Sequence, residues 1–393
     1  MRQGLLVIVG TVTLLTLSCK ERAVKMEFHA RELSVLVGGK PAIVLERSLP
    51  QSPNQAVLSR VVLLPGRGMN IYQVRAYLPG LGEVDLFTAP PVEEAPKLLN
   101  GGPEDFYGNK SFTVGGAILI PYANRIRGRF LEKERAIETR IGDRIMRLPA
   151  NWKGKRPEAE PHAMHGLILD QPFQNVQLSS DVTSAAVKAE LHAGNFRGHW
   201  PSQTHLTFEG KLDAGGFEFS VSAMNVGDQP LPIGIGWHPY FEFPSKDRRQ
   251  ARLRIPARSR ALVNNYDDVF PTGDVVPVKG TPYDFSGPEG APLGELFLDD
   301  CFLELERDAQ GRAIAEVIDP KANYRMKIIA LSPDIRAFQV YAPVEKTFAA
   351  VEPQFNLADP FSAIWKGRDT GMVTLQPGQS VTYRVRLEVA PAK

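Results

Sequence analysis

Disulfide chemistry is nearly absent from this sequence. Its 393 residues include two cysteines, Cys19 and Cys301, placed toward opposite ends, which excludes a disulfide-stapled scaffold. An excess of one charge is missing as well. Lys and Arg total 46 against 44 Asp and Glu, a formal net charge of +2, so no strong field favours nucleic acid or an acidic membrane surface as partner. Helical periodicity is scarce, no repeat of solenoid length recurs, and strands do not alternate regularly with helices. These absences leave a globular chain built mainly from strands.

A single long apolar run stands out, Leu5 to Leu17 within "MRQGLLVIVGTVTLLTLSCKER". A bilayer span needs about 20 apolar residues; this run is shorter and follows Arg2, as the core of an export signal does. Ser18-Cys19 resembles the end of a bacterial lipoprotein processing site, with Thr16 where leucine is usual. The segment predicts an export signal over residues 1–19 and a lipid on Cys19. The expected location is the periplasm or a membrane, as a bacterial lipoprotein whose fold occupies 25–393.

Strand-type alternation fills much of the rest. In "THLTFEGKLDAGGFEFSVSAMN", Leu206, Phe208 and Leu212 share one side of a first strand. After the turn Asp213 to Gly216, Phe217, Phe219, Val221 and Ala223 share one side of a second, opposite Glu218, Ser220 and Ser222. "VTYRVRLEV" alternates in the same way, and "FLELERDAQGRAIAEVID" reads as another hairpin across Asp308 to Gly311. The 34 Gly and 32 Pro supply turns throughout. The expectation is an all-β fold, one large antiparallel β-sandwich. Its length exceeds the roughly 250–300 residues usual for a single core, which leaves room for a second small domain.

Some polar residues are not explained by that pattern. In "GGAILIPYANRIRGRF", Asn124 and Arg125 follow the buried-type run Ala117 to Pro121. A guanidinium beside an apolar wall suits a planar fork of hydrogen bonds to ligand hydroxyls, and equally suits a surface salt bridge. "HAMHGL" offers His162 and His165, with no nearby cysteine or acidic set to complete a zinc site. "GIGWHPYFEF" puts His238 inside a glycine- and aromatic-rich run that otherwise reads as buried strand. "FLDDCF" places Asp299 and Asp300 among strand-type residues, and "AAVEPQFN" places Glu352 before Pro353. Taken singly, each acid reads as a solvated strand end.

Taken in order, these segments resemble the aldose 1-epimerase (galactose mutarotase) family. The match runs from Gly115-Gly116 and Asn124-Arg125-Ile126, through His165-Gly166 and Trp237-His238-Pro239-Tyr240-Phe241, to Asp299 and Val351-Glu352-Pro353-Gln354. The resemblance implies a galactose mutarotase-like supersandwich with an open sugar cleft, and neither metal nor organic cofactor. It implies His238 as general acid and Glu352 as general base, with Asn124, Arg125, His165, Asp299 and Gln339 of "FQVY" holding the sugar. Two positions depart from the family pattern: Leu167 stands where a second glycine is common, and Asp300 where histidine is common. Residues 25 to about 100 carry no motif of the family.

The reaction accounts for those residue types. Interconverting α and β anomers opens a cyclic hemiacetal: a base takes the C1 hydroxyl proton while an acid protonates the ring oxygen, and the ring recloses on the other face. With ordinary values of about 4.3 for Glu and about 6.5 for His, the imidazole is mostly neutral at pH 7, so a negative charge beside His238 is expected, from Glu352 or Asp299. A carbohydrate-binding lipoprotein without turnover is one alternative. A glycosidase or lyase on a similar sandwich, using Asp299 and Glu352 as facing carboxylates, is another. The expected partner is a small sugar, with no nucleic acid, and with membrane contact only through a lipid on Cys19. Intact-mass analysis of the membrane fraction is expected to show lipid-modified Cys19 as the mature N-terminus; an unmodified Cys19 or cleavage elsewhere overturns that expectation.

Overall fold

The computed structural model describes residues 27–50 and 52–392; the expected export signal and Cys19 lie outside the described residues. Two large sheets face each other across one core. The nine-stranded sheet runs from the edge strand Gln174–Ser180 through Thr204–Asp213, Phe217–Asn225 and the late strand Ser380–Ala390 to Ala291–Pro292. The seven-stranded sheet has the order Pro271–Pro277, Ala257–Val263, Leu298–Leu305, Ala337–Ala342, Phe348–Gln354, Gly236–Glu242, Gly116–Leu119, all antiparallel. The expected all-β antiparallel sandwich is what forms.

The alternation seen in the sequence becomes burial. Phe208, Phe217, Phe219, Val221 and Ala223 are buried, whereas Glu218, Ser220 and Ser222 on the intervening positions are partly exposed. The turn between the two strands is closed by Asp213, whose Oδ1 accepts from the backbone N–H of Gly215 and Gly216 at 2.8 and 3.0 Å. Phe219 packs edge-on against Trp237 of the other sheet, with centroids 5.0 Å apart. Trp237 therefore faces the core between the sheets. Because successive strand residues point to opposite faces, His238 faces the other way.

One sequence expectation fails. The turn at Asp308 to Gly311 exists, with Gly311 N–H donating to Asp308 O at 2.9 Å, but the strands on either side do not pair with each other. Leu298–Leu305 belongs to the seven-stranded sheet and Ala313–Asp319 to the nine-stranded sheet. The segment is a crossing between layers rather than a hairpin. Alternation reports that a strand has one buried face and carries no information about which strand it pairs with.

Residues 28–85 form a five-stranded sheet of successive antiparallel strands. One face supplies Leu45, Val61, Leu63 and Ile71 to the core shared with the large sheets. The other buries Val44, Val62, Leu64 and Tyr72 beneath Val92, Ala95 and Leu99. Both faces being covered explains the nearly unbroken apolar run "VLSRVVLL" of Val57–Leu64. Beyond this sheet the chain is stitched to the strand that carries His238: Thr88 N–H donates to Tyr240 O at 3.0 Å, and Glu242 N–H to Leu86 O at 2.8 Å.

Candidate active site

Four neighbouring strands of the seven-stranded sheet place the polar residues of the site side by side. Gln339 lies opposite Glu352 and also opposite Cys301, two residues beyond Asp299. The pairings Gly236 with Gln354 and Tyr240 with Ala350 set His238 level with Glu352. A short ribbon, Arg125–Ile126 paired with Ala163–Met164, brings Arg125 and His165 over them.

Two glycines permit this approach. A Cβ on Gly116 would lie 2.6 Å from the indole nitrogen of Trp237, and one on Gly166 would lie 2.3 Å from Ile120 O and 2.6 Å from Ile120 N. Gly166 also has φ +84° and follows His165 at φ +58°, a left-handed pair that turns the imidazole into the site. Leu167 has no positive φ and is buried in the core. A second glycine there has no conformational role to fill. Asn356 fixes the preceding loop, accepting from Ala123 N–H and donating to Ala123 O, both at 2.9 Å.

The buried polar groups close into a ring. Arg125 donates to Asn124 Oδ1 at 2.8 Å and to Asp299 Oδ2 at 3.3 Å; Asn124 Nδ2 donates to Gln339 Oε1 at 3.0 Å; Gln339 Nε2 donates to Asp299 Oδ1 at 2.6 Å. Beside the ring, His238 Nε2 lies 3.3 Å from Glu352 Oε1. The other Glu352 oxygen accepts from Gln354 Nε2 at 2.9 Å. The His165 and His238 rings meet edge to face at 4.8 Å.

Arg125, His165, His238, Asp299, Gln339 and Glu352 line a cavity of about 270 Å³, together with Phe112, Tyr240 and Tyr341. Arg125 Nε, His165 Nδ1 and His238 Nδ1 are buried there without hydrogen-bond partners, which leaves polar groups available to a ligand. A larger depression of about 610 Å³ crosses the exposed face of the nine-stranded sheet. Lys188 pairs there with Glu209 at 3.2 Å, and the depression holds no such unpartnered group. The smaller cavity is therefore the candidate site.

Burial dominates the electrostatics. It pushes the His238 imidazole down to about 3, with the Arg125 charge acting in the same direction. It pushes the Glu352 carboxyl well above the usual range, reinforced by Asp299, and it pushes His165 well down. The negative charge expected beside His238 is not supplied: burial drives the neighbouring Glu352 toward its neutral form as well, and the imidazole is lowered rather than raised. Both shifts favour the neutral imidazole and the neutral carboxyl over the ion pair.

Arg125, His165, His238, Asp299, Gln339 and Glu352 thus converge as the sequence suggested. Asn124, only 1% exposed, sits behind the others and holds Arg125 and Gln339 in place. Trp237 is core, its indole N–H donating to Gly116 O at 3.0 Å, whereas Tyr240 stands beside His238 at 4.8 Å between centroids. His162 lies outside the cavity, its Nδ1 2.8 Å from Glu160 O and its ring against Phe270. Sequence reasoning overlooked Phe112 and Gln354; the two-residue spacing of Glu352 and Gln354 on one strand was the available signal for the latter. It also assembled no metal-ligand set, yet His165, His238 and Glu352 bring three potential ligand atoms within 4.8 Å of one another.

The sequence profile described as aldose 1-epimerase matches residues 83–388. The chain belongs to the aldose 1-epimerase family. Among its relatives is the uncharacterized protein YphB of Escherichia coli (strain K12), 24% identical over 287 residues, which are 69% of this chain and 82% of that protein. In structure it is similar to a galactose mutarotase-like protein from Clostridium acetobutylicum, with TM-score 0.71 and 16% identity over 93% of this chain and 99% of the other. Galactose 1-epimerase from Lactobacillus acidophilus NCFM gives TM-score 0.63 and 19% identity, with the same two coverages. The family profile begins near the end of the five-stranded sheet, so the motif-poor residues before it are those whose role only the structure reveals.

Gly166→Ala adds a side chain where backbone atoms already stand, at a φ that L-residues adopt at a cost of about 1–3 kcal/mol. Urea unfolding is expected to show at least that loss, or the variant to be recovered unfolded; unchanged stability would contradict the packing described.

Proposed function

We propose that this protein is an aldose 1-epimerase that interconverts the α and β anomers of a free sugar by acid–base ring opening. The observation that carries the reading is the 3.3 Å contact between His238 Nε2 and Glu352 Oε1 at the bottom of a cavity with unpartnered polar groups. The hydroxyl and ring oxygens of a hemiacetal are attached to the same carbon, so an acid and a base must stand side by side to serve both. The family membership supports the same reaction. Arg125, His165, Asp299 and Gln339 hold the sugar hydroxyls, and the ring of hydrogen bonds fixes them in advance.

In the reaction Glu352 removes the C1 hydroxyl proton and His238 protonates the ring oxygen as the bond from C1 to that oxygen breaks. Rotation about the bond between C1 and C2 presents the other face of the aldehyde. The ring oxygen attacks it and returns its proton to His238, while the new C1 oxygen takes one from Glu352. The imidazolium and carboxylate required are one proton transfer away from the resting pair, across the 3.3 Å contact between them. A glycosidase reading is less well supported, because the family membership points to anomer interconversion rather than to glycosidic cleavage. The run Leu5 to Leu17 ending at Ser18-Cys19 supports an exported lipoprotein, with free sugars outside the cytoplasm as substrates.

Glu352→Gln and His238→Asn are each expected to lower the mutarotation rate by roughly 10²–10⁴-fold while sugar binding survives. A folded Glu352→Gln protein with near-normal turnover would overturn the mechanism. The active pair carries one proton, so acid inactivation is the gain of a second on His238, near the value of about 3 to which burial lowers it. Alkaline inactivation is loss of the proton held on Glu352, which burial raises. The kcat/KM profile is therefore expected to be a plateau wider than the interval from about 4.3 to about 6.5 set by unperturbed groups. Glu352→Gln should remove its alkaline limb. A narrow bell at the unperturbed values would show that burial does not govern the pair.

In this reading His238 and Glu352 carry protons and are not metal ligands. Chelator treatment is expected to leave turnover unchanged; loss on chelation with recovery on adding zinc would assign the His165, His238 and Glu352 cluster to a metal instead.

A further inference from the structure

The cavity that contains His238 and Glu352 does not end at the size of one sugar. Two rows of aromatic rings lead outward from it. In one, Phe112 packs at 4.8 Å from His165 and Trp152 packs on Phe112 at 5.3 Å. In the other, Tyr341, directly opposite Asp299 in the strand register, is followed by Phe297 at 6.2 Å and Tyr266 at 5.0 Å from Phe297. Exposure rises along both rows. Phe112 is 3% exposed, whereas Trp152 is 37% and Tyr266 43% exposed, and all of these residues line the same cleft.

The outer rings are held in place. Asp267 accepts from the backbone N–H of Lys155 at 2.8 Å and of Arg156 at 3.2 Å, tying the loop after Trp152 to the loop that carries Tyr266. The Tyr266 hydroxyl donates to Asp300 Oδ2 at 3.0 Å. Asp300 is fully buried and paired with Arg260, whose guanidinium lies 3.6 Å from the centre of the Tyr283 ring. A buried carboxylate and its counter-charge thus serve to fix one exposed phenol at the cleft mouth. This is the position where the family pattern commonly has histidine, and anchoring Tyr266 gives Asp300 a role there.

Exposed, rigid aromatic faces continuous with a polar sugar pocket are suited to stack on the apolar face of a pyranose ring. Their fixed geometry lowers the ordering cost of binding. We propose that Trp152 and Tyr266 form a second sugar subsite, so that the preferred substrate is the reducing end of an oligosaccharide rather than a lone aldose. The inference rests on the epimerase reading for turnover, but the subsite can be tested by binding alone. Asp300 acts here as a positioning residue for Tyr266.

The experiment compares mutarotation of glucose and galactose with that of the reducing disaccharides maltose, cellobiose and lactose. Calorimetric binding of the same sugars to Glu352→Gln is measured in parallel. At least one disaccharide is expected to exceed its reducing-end monosaccharide in kcat/KM and in affinity by about tenfold or more. In Trp152→Ala, and again in Tyr266→Ala, that ratio should fall toward one, with Trp152→Phe keeping part of it. Equal values for monosaccharides and disaccharides in the wild-type protein, or a ratio unchanged in both alanine variants, would overturn the proposal. If no aldose is turned over, the epimerase reading fails separately, and the binding ratios still decide the subsite.

Discussion

Burying Arg125 beside Asp299 is the constraint on which the site depends. An unpaired charge removed from water is costly, and a buried pair is tolerated only when its remaining donors and acceptors are also satisfied. Asn124 and Gln339 meet part of that demand, closing a ring of four side chains, while Arg125 Nε stays unpartnered in the cavity. That ring joins a two-residue strand of the overlying ribbon to two strands of the seven-stranded sheet. The ribbon is too short to hold its own position. It is located by the ring, by Asn356 beneath the preceding loop, and by the bare backbone of Gly166 against Ile120.

The same burial that makes the ring necessary sets the chemistry beside it. A histidine and a glutamate in water would hold their protons in the order of their ordinary values. Removed from water, both are driven toward their neutral forms. The pair then rests uncharged at the foot of an open cavity. Its charged form lies one proton transfer away across a 3.3 Å contact. Gln354, donating to the far oxygen of Glu352, orients the carboxylate for that exchange.

The five-stranded sheet contributes in a different way. It carries no functional side chain, but Leu86 and Thr88 pair with the end of the strand bearing His238, while its inner face completes the common core. Phe219 supports Trp237 from the opposite sheet. Trp237 and His238 are consecutive residues with opposite duties, one packed between the sheets and one turned into the cavity. The alternation of a single strand separates them.

The sequence alone carried the fold class, because alternation of apolar and polar residues is a local property that burial on one face of a sheet directly produces. It also carried the chemically unusual residues Asn124, Arg125, His165, His238, Asp299, Gln339 and Glu352, since their order along the chain could be matched to a family. It carried strand partnership only in part: the hairpin across Asp213 to Gly216 forms. The turn at Asp308 to Gly311 looked like a hairpin, and only the assembled sandwich shows that its flanking strands belong to different sheets, because pairing depends on contacts between distant segments. Nor did it carry the closure of the ring, the share of Gln354, the anchoring of Tyr266 by Asp300, or the direction in which burial moves the His238 and Glu352 protons. Each of these depends on distance and on exclusion of water, quantities that exist only once the strands have packed.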